Sequence, residues 1–174
     1  LFAEGHAHPK LEKLKEIVAE QLYKDKFSLI IGFAQCRDTI NRIHETLGKM
    51  PKVSPVEFIG QAKKKGRGLS QKEQVQILNE FKMGFYNVLC ASQVAEEGLD
   101  VAETSLVVFY APTPSAIRKI QRSGRTARTE KGRVVVLIAK GTRDEAYHWS
   151  AHQKEKKMTK ILYEMRDKNL RNFT

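Results

Sequence analysis

The chain has little of what marks secreted, metal-binding or membrane proteins. Its 174 residues include only 2 cysteines, and both Cys36 and Cys90 lie inside or beside an apolar run. We therefore expect two buried free thiols in a reducing compartment, with neither a disulfide nor a metal site. The longest apolar runs, at 106–111 and 134–139, are far shorter than the roughly 20 residues of a membrane-spanning helix. These absences predict a cytoplasmic protein that has no membrane partner.

Acidic residues are also scarce relative to basic ones. Lys and Arg together number 31, Asp and Glu number 20, and the formal net charge is +11. The excess is concentrated at residues 63–72 and again at 154–171. Clustered positive charge indicates a polyanionic partner such as nucleic acid. The alternative is a solvated basic surface that serves solubility.

Apolar runs alternate with helical patterns along the chain. Strand-like runs occupy residues 27–33, 53–59, 86–91, 105–110 and 134–139. Helical patterns occupy residues 9–22, 40–48, 71–83, 113–120 and the stretch from 142 onward. Repeated strand–helix units imply an α/β fold with a mostly parallel sheet and helices on both faces. We expect one domain over residues 1–174, with a basic C-terminal helix and tail from about residue 142.

Local signals mark the beginnings of two helices and the candidate core aromatics. Ser70 with Glu73, and Thr142 with Glu145, have the spacing of a capping box, in which each side chain binds the other residue's backbone N–H. Aromatic side chains beside apolar runs are expected in the core, although such rings can also stack on nucleic-acid bases. The aromatic residues in question are Phe85, Tyr86, Tyr147 and Trp149.

A parallel sheet binds its ligands beyond the carboxyl ends of its strands. That rule selects the loops at residues 60–69, 92–100 and 112–115, with residues 125–131 beside them. In the second loop the Ser92 hydroxyl can donate to a phosphate oxygen, Gly98 permits a close backbone approach, and Asp100 can accept from a ribose hydroxyl. The alternative is an ordinary turn closed by an acidic cap.

Residues 121–128, QRSGRTAR, place Arg125 and Arg128 three residues apart, just after a glycine that can interrupt a helix. A guanidinium is always charged and grips phosphate oxygens in a two-pronged fork. A convergent pair therefore suits the charge that develops on a γ-phosphate during transfer. The alternative is a helix that ends in basic residues, where cations interact favourably with the terminal carbonyls.

The ordered set of these motifs resembles the second RecA-like domain of superfamily 2 helicases. The segments GQ at 60–61, GLSQ at 68–71, NEFK at 79–82, EEGLD at 96–100 and QRSGRTAR at 121–128 are most similar to archaeal Hef and to Fanconi anaemia group M helicases. The segment KGTRDEAY at 140–147, followed by Trp149, also resembles Hef. The similarity runs from about residue 8 to about residue 158 and implies a RecA-like three-layer domain.

The resemblance implies a role for each matching residue. Gln121, Arg125 and Arg128 occupy nucleotide-facing positions, with the two arginines as γ-phosphate ligands. Asp100 corresponds to the carboxylate associated with the nucleotide ribose, and Gly98 belongs to the same motif. Ser92 stands where the family usually has a threonine that contacts a nucleic-acid phosphate. Gln93 and Ala127 replace residues that are commonly serine and glycine, so the local backbone can differ slightly there.

The basic loop is the remaining candidate for nucleic-acid contact. Its members are Lys63, Lys64, Lys65 and Arg67. Together with the resemblance, this loop predicts a DNA helicase or translocase that acts on branched or forked DNA. Two alternatives remain open: a double-stranded-RNA translocase of the Dicer or innate-sensor type, and a non-catalytic basic nucleic-acid-binding module. The second of these is expected to have lost Arg125 or Arg128, and both are present.

Two helicase motifs are absent from the chain. It has no Gly-rich phosphate loop ending in Gly-Lys-Ser/Thr and no Asp-Glu metal-binding motif on a strand. Both belong in a first, N-terminal RecA-like domain, so we expect ATP with Mg²⁺ to bind between that domain and this one. The chain also begins without a methionine, which suggests a piece of a longer protein. We therefore expect the 174-residue chain alone to be catalytically inactive.

Overall fold

The computed structural model describes residues 8–61, 68–92, 104–113 and 132–171, with side chains in the last helix as far as residue 165. The chain divides into two compact units, Leu1–Ile138 and Ala139–Thr174. The second unit begins close to residue 142, where the sequence predicts the start of a basic helix.

Five strands of the first unit form one parallel sheet. They are β1 (Ile30–Ala34), β2 (Pro55–Phe58), β3 (Val88–Ser92), β4 (Leu106–Phe109) and β5 (Arg133–Val136). Their order across the sheet is β2-β3-β1-β4-β5, and each neighbouring pair is parallel. All carboxyl ends therefore meet at one edge of the sheet, the carboxyl edge, and all amino ends meet at the other, the amino edge.

Four helices are described, and they confirm four of the helical patterns. They are α1 (Pro9–Lys24), α2 (Arg37–Gly48), α3 (Gln71–Lys82) and α4 (Arg143–Arg171). Pro9 occupies the first turn of α1, where its missing N–H leaves no intrahelical bond unmade. The helix expected at residues 113–120 lies almost entirely outside the described residues.

Helix α3 begins and ends as its sequence indicates. The Ser70 hydroxyl accepts the Glu73 N–H at 3.2 Å, and the Glu73 carboxylate accepts the Ser70 N–H at 2.6 Å, so the predicted capping box is confirmed. At the other end Gly84 has a φ of 85°, a conformation that side-chain-bearing residues rarely adopt. The Phe85 N–H then reaches back to the Glu80 carbonyl at 3.0 Å and closes the helix.

The helices pack on both faces of the sheet, which confirms a three-layer α/β domain. On one face α1 and α2 bury Val18, Ile40 and Ile43 against residues of β1, β3 and β4. On the other face Phe81 of α3 packs with the opposite side chains of the same strands. Phe33 and Phe109 stack there, with ring centroids 5.3 Å apart.

The strands are shorter than the apolar runs that predict them, because some apolar residues lie in the turns that lead into the sheet. The run at 27–33 becomes a strand only at Ile30, and Phe27 is exposed in the preceding turn. Phe85, Tyr147 and Trp149 are also exposed, so the expectation that they are core residues is wrong. Only Tyr86 of that aromatic group packs against the core.

The two cysteines differ from each other. Cys90 is buried in β3 as expected, and burial, with a smaller contribution from the charge of Glu57, raises the pKa of its thiol to about 12. Its role is therefore packing. Cys36 is exposed at the residue before α2, which contradicts the expectation of two buried thiols. Its Sγ lies 2.9 Å from the Thr39 hydroxyl oxygen.

The second unit consists of α4 and the turn before it. The Thr142 hydroxyl accepts the Asp144 N–H at 3.3 Å, and the Glu145 carboxylate accepts the Gly141 N–H at 2.8 Å. The predicted pair is therefore used, but each side chain binds a backbone N–H one residue away from the one expected in a capping box.

Candidate nucleotide and nucleic-acid site

Ser92 is the predicted site residue that lies within the described residues. It is the last residue of β3, and its Cα pairs with that of Ala34 in β1, so it stands near the middle of the carboxyl edge. Ser92 is only 7% exposed, and its Oγ has no hydrogen-bond partner among the described residues. An unpaired buried hydroxyl costs about 1–3 kcal/mol, so this group is suited to receive a partner from outside the sheet.

The start of α2 lies beside Ser92. Only Gln35 and Cys36 separate Ala34 from the helix, and α2 packs on the face of the sheet that carries Cys90. The first intrahelical bond of α2 runs from the Ile40 N–H to the Cys36 carbonyl at 3.1 Å, so the earlier N–H groups of the first turn have no intrahelical partner. Such a helix terminus attracts phosphate groups, although Asp38 in the same turn opposes them.

The basic loop starts from the adjacent part of the same edge. It follows β2, which pairs with β3, and its two ends are held together by a bond from the Leu69 N–H to the Gly60 carbonyl at 3.4 Å. The Gln74 side chain also donates to the Ile59 carbonyl at 2.9 Å and ties the start of α3 to the end of β2. The anchors of the loop are thus placed at the carboxyl edge, while residues 62–67 lie outside the described residues.

The end of β4 is tied to α1. Lys10 is buried and donates from its Nζ to the Tyr110 carbonyl at 2.8 Å, while the same Nζ lies 5.3 Å from the centre of the Tyr110 ring. The chain then passes Thr113 and enters residues 114–131, which lead to β5 and lie outside the described residues.

The other predicted site residues all lie outside the described residues, so their roles stay predictions. They are Lys63, Lys64, Lys65, Arg67, Gly98, Asp100, Gln121, Arg125 and Arg128. The topology does show which strand precedes each of them. Residues 63–67 follow β2, residues 98–100 follow β3, and residues 121–128 lie in the connection between β4 and β5.

The start of α2 is the part of this site that sequence reasoning did not select. The available signal was the same one that selects Ser92, since polar residues at 35–37 directly follow the apolar run of β1. Adjacency to Ser92 came only with strand order, because β1 and β3 are distant in sequence and neighbours in the sheet.

Neither a membrane segment nor a metal cluster is found in the described parts of the chain. Helices within them lack the length and apolar character that a bilayer requires. No group of three or more metal-ligating side chains comes together in the same residues.

The chain is similar to known helicase domains in both sequence and fold. Residues 9–130 match the family described as the helicase conserved C-terminal domain. The crystal structure of the Pyrococcus furiosus Hef helicase domain is 54% identical, with a TM-score of 0.70, over 82% of this chain and 28% of that one.

Relatives known by sequence carry both RNA and DNA helicase names. The chain is 48% identical to a Methanocaldococcus jannaschii protein that bears the name of an ATP-dependent RNA helicase, over 91% of this chain and 20% of that protein. It is 41% identical to the ATP-dependent DNA helicase fml1 of Schizosaccharomyces pombe, over 77% and 16%. It is 36% identical to the Fanconi anemia group M protein homolog of Mus musculus, over 86% and 8%.

The chain thus spans a fifth or less of the length of these curated relatives. The matches confirm the resemblance to Hef and Fanconi anaemia group M helicases, and the parallel sheet with its two helical layers confirms the RecA-like fold.

Proposed function

Because the chain belongs to the helicase conserved C-terminal domain family of superfamily 2 helicases, we propose that it is the C-terminal motor domain of an ATP-dependent DNA helicase or translocase. In this proposal ATP and Mg²⁺ bind in a cleft between this domain and an N-terminal RecA-like domain of the parent protein. Closure of that cleft moves the nucleic acid along the carboxyl edge.

The nucleic-acid side of the proposal rests on one observation, the buried and unpartnered hydroxyl of Ser92 at the centre of the carboxyl edge. A phosphate oxygen can accept a hydrogen bond from this hydroxyl and also from the unpaired N–H groups at the start of α2. Phosphate contacts carry no base information, so they suit a motor that moves along any sequence. The basic loop supplies further phosphate contacts through Lys63, Lys64, Lys65 and Arg67.

On the nucleotide side, we assign Arg125 and Arg128 to the charge that develops on the γ-phosphate. Gln121, Gly98 and Asp100 are assigned to binding and orienting the nucleotide. The phosphate cradle and the magnesium ligand come from the N-terminal domain, since the corresponding motifs are missing from this sequence. The 174-residue chain alone is therefore expected to hydrolyse no ATP above background, with or without nucleic acid.

Branched or forked DNA is our first choice of substrate, because Hef and the Fanconi anaemia group M protein are among the relatives and fml1 is named a DNA helicase. A double-stranded-RNA translocase is the second candidate, and the name of the Methanocaldococcus jannaschii relative favours it.

One experiment separates the two candidates. ATP hydrolysis by the full-length parent protein is measured with forked DNA, plain duplex DNA and duplex RNA as competing activators. We expect forked DNA to give the greatest stimulation at equal nucleotide concentration. Stimulation by duplex RNA alone would establish the second candidate, and no stimulation by any of the three would contradict a nucleic-acid motor.

A further inference from the structure

A cluster of large apolar side chains is exposed at the amino edge, away from the site described above. Its members, the amino-edge patch, are Tyr23, Phe27, Met83 and Phe85, which are 93%, 78%, 73% and 65% exposed. Tyr23 lies in the last turn of α1 and Met83 directly follows α3. The two phenylalanines lie in the turns that lead into β1 and β3.

Strand pairing brings these turns together. Ile30 pairs with Val88, and the Ile30 N–H donates to the Asn87 carbonyl at 2.9 Å. Phe27 and Phe85 each precede their paired strand residue by three positions, so their turns run side by side at the amino edge. Helices α1 and α3 flank this position from opposite faces of the sheet.

Each turn is held by backbone hydrogen bonds and does not owe its shape to its aromatic residue. The Asp25 carboxylate accepts the Phe27 N–H at 3.0 Å, and the Phe85 N–H is bonded to the Glu80 carbonyl. In a helix end of this type the residue after the glycine usually makes an apolar contact with the last turn, but the residue at that place here is Glu80. The rings are thus presented outward on a fixed backbone.

Single exposed apolar residues are normal on protein surfaces, whereas a contiguous group of this size marks an interaction site. Three aromatic side chains and a methionine expose roughly 500 Å² in total, given about 150–250 Å² for each aromatic ring. Aromatic residues and methionine are also the types enriched at the centres of protein interfaces.

The rim of the amino-edge patch is positively charged. Lys26 and Lys82 form no ion pair within the described residues, and the Lys26 Nζ lies 5.1 Å from the centre of the Phe27 ring. The acidic residues of the same turns are already engaged, since the Asp25 carboxylate accepts the Phe27 N–H and the Glu80 carboxylate accepts the Gln76 side chain at 3.0 Å. A partner with negative charge around apolar anchors complements this surface.

We propose that the amino-edge patch is a docking site for an acidic peptide segment of another protein that carries at least two large apolar side chains. The segment seats its apolar side chains on Phe27 and Phe85 and its carboxylates against Lys26 and Lys82. The proposal does not depend on the proposed motor function. Because the patch and Ser92 lie at opposite edges of the sheet, the peptide and a nucleic acid can bind together.

The test selects short random peptides displayed on phage against the immobilised 174-residue chain. A parallel selection uses the double variant Phe27→Ser with Phe85→Ser, and both proteins are first compared by thermal melting. We expect the wild-type chain to enrich peptides that combine acidic residues with aromatic or aliphatic ones. Enrichment of neutral or basic peptides, equal enrichment on the double variant, or no enrichment at all would overturn the proposal.

The affinity of a selected peptide then tests the contacts. The double variant is expected to lose about tenfold or more in affinity, as for anchors at the centre of an interface. Lys26→Glu with Lys82→Glu is expected to weaken binding and to remove its salt dependence. Val75→Ser is the matched control, because Val75 is an apolar residue of α3 that is 53% exposed outside the amino-edge patch, and it should bind like wild type.

Two further outcomes would assign the patch to a different occupant. If the wild-type chain forms dimers in sedimentation and the double variant is monomeric, the occupant is a second copy and the proposal is wrong. If a labelled single-stranded oligonucleotide loses affinity in the double variant, the patch serves nucleic acid and the proposal is again wrong.

Discussion

The two edges of the sheet differ in how their polar groups are satisfied. At the amino edge the Asn87 side chain accepts the Ser54 N–H and donates to the Lys52 carbonyl, both at 2.8 Å, and Gln21 donates to the Ser28 hydroxyl at 3.0 Å. One Nη of Arg133 is the exception there among the described residues. At the carboxyl edge the Ser92 hydroxyl stays unpaired. The protein thus stabilises its fold at one edge and keeps a ligand-ready group at the other.

Four predictions test this division, and the largest effect is expected for the arginine pair in the full-length parent. Arg125→Ala and Arg128→Ala should each lower the rate of ATP hydrolysis at least a hundredfold, since arginine fingers contribute about 10³–10⁵ in rate. Nucleic-acid affinity should change little, because the charge acts mainly on the transition state. Lysine at either position should restore little activity, since it lacks the fork.

Arg42→Ala is the control for the arginine variants, because Arg42 is an exposed arginine of α2 remote in sequence from the motif. It should hydrolyse ATP at the wild-type rate. If Arg125→Ala and Arg128→Ala did the same, or simply unfolded, the arginines would be helix-end or packing residues.

The second prediction concerns the basic loop. Replacing Lys63, Lys64, Lys65 and Arg67 together with alanine should weaken binding to all duplex sequences alike. The slope of log affinity against log salt concentration should fall by roughly 0.9 for each duplex phosphate that the loop no longer neutralises. The measurement is a titration of labelled duplexes at several salt concentrations. A wild-type slope would show that the loop is a solvated surface.

The third prediction concerns the amino edge. Asn87→Ala removes two hydrogen bonds and leaves the Ser54 N–H and the Lys52 carbonyl without them, so we expect a loss of about 1–2 kcal/mol in the free energy of unfolding. The melting temperature should fall by several degrees, at about 2–4 °C for each kcal/mol in a chain of this length. Nucleic-acid affinity should be unchanged. Asn79→Ala, on the exposed surface of α3, should cause no loss of stability.

The fourth and smallest effect is expected at Ser92, with the opposite pattern. Ser92→Ala removes a buried hydroxyl that has no partner among the described residues, so the melting temperature should stay constant or rise. Affinity for nucleic acid should fall about fivefold, the equivalent of roughly 1 kcal/mol for one hydrogen bond. Ser92→Thr keeps the hydroxyl and should bind like wild type. A loss of stability without a loss of affinity would remove the distinction between the edges.

Much of the fold could be read from the sequence because its signals are local. The alternation of apolar runs and helical patterns is enough for the α/β class, and Ser70 with Glu73 and Gly84 predict the two ends of α3 correctly. The position of Ser92 at a strand end also follows from a local signal, the polar residue after an apolar run. The membership in the helicase family rests on ordered motifs that can be read along the chain.

Burial depends on neighbours that are distant in sequence, and only the tertiary structure decided it. Phe27 and Phe85 look like core residues beside apolar runs, yet strand pairing begins three residues later and leaves both rings in the solvent. Cys36 is exposed for the same reason, because β1 ends at Ala34. The roles of Arg125, Arg128, Gln121, Gly98 and Asp100 remain predictions from motifs, as does a cytoplasmic location.

What the sequence by itself determined was therefore which segments form strands and helices, and to which family the chain belongs. Strand order decided which of those segments meet. It placed the start of α2 beside Ser92, and it joined two separate turns into the amino-edge patch. The physical reason is that hydrogen bonding between parallel strands brings together residues far apart in the chain, whereas propensity and periodicity act only over a few residues.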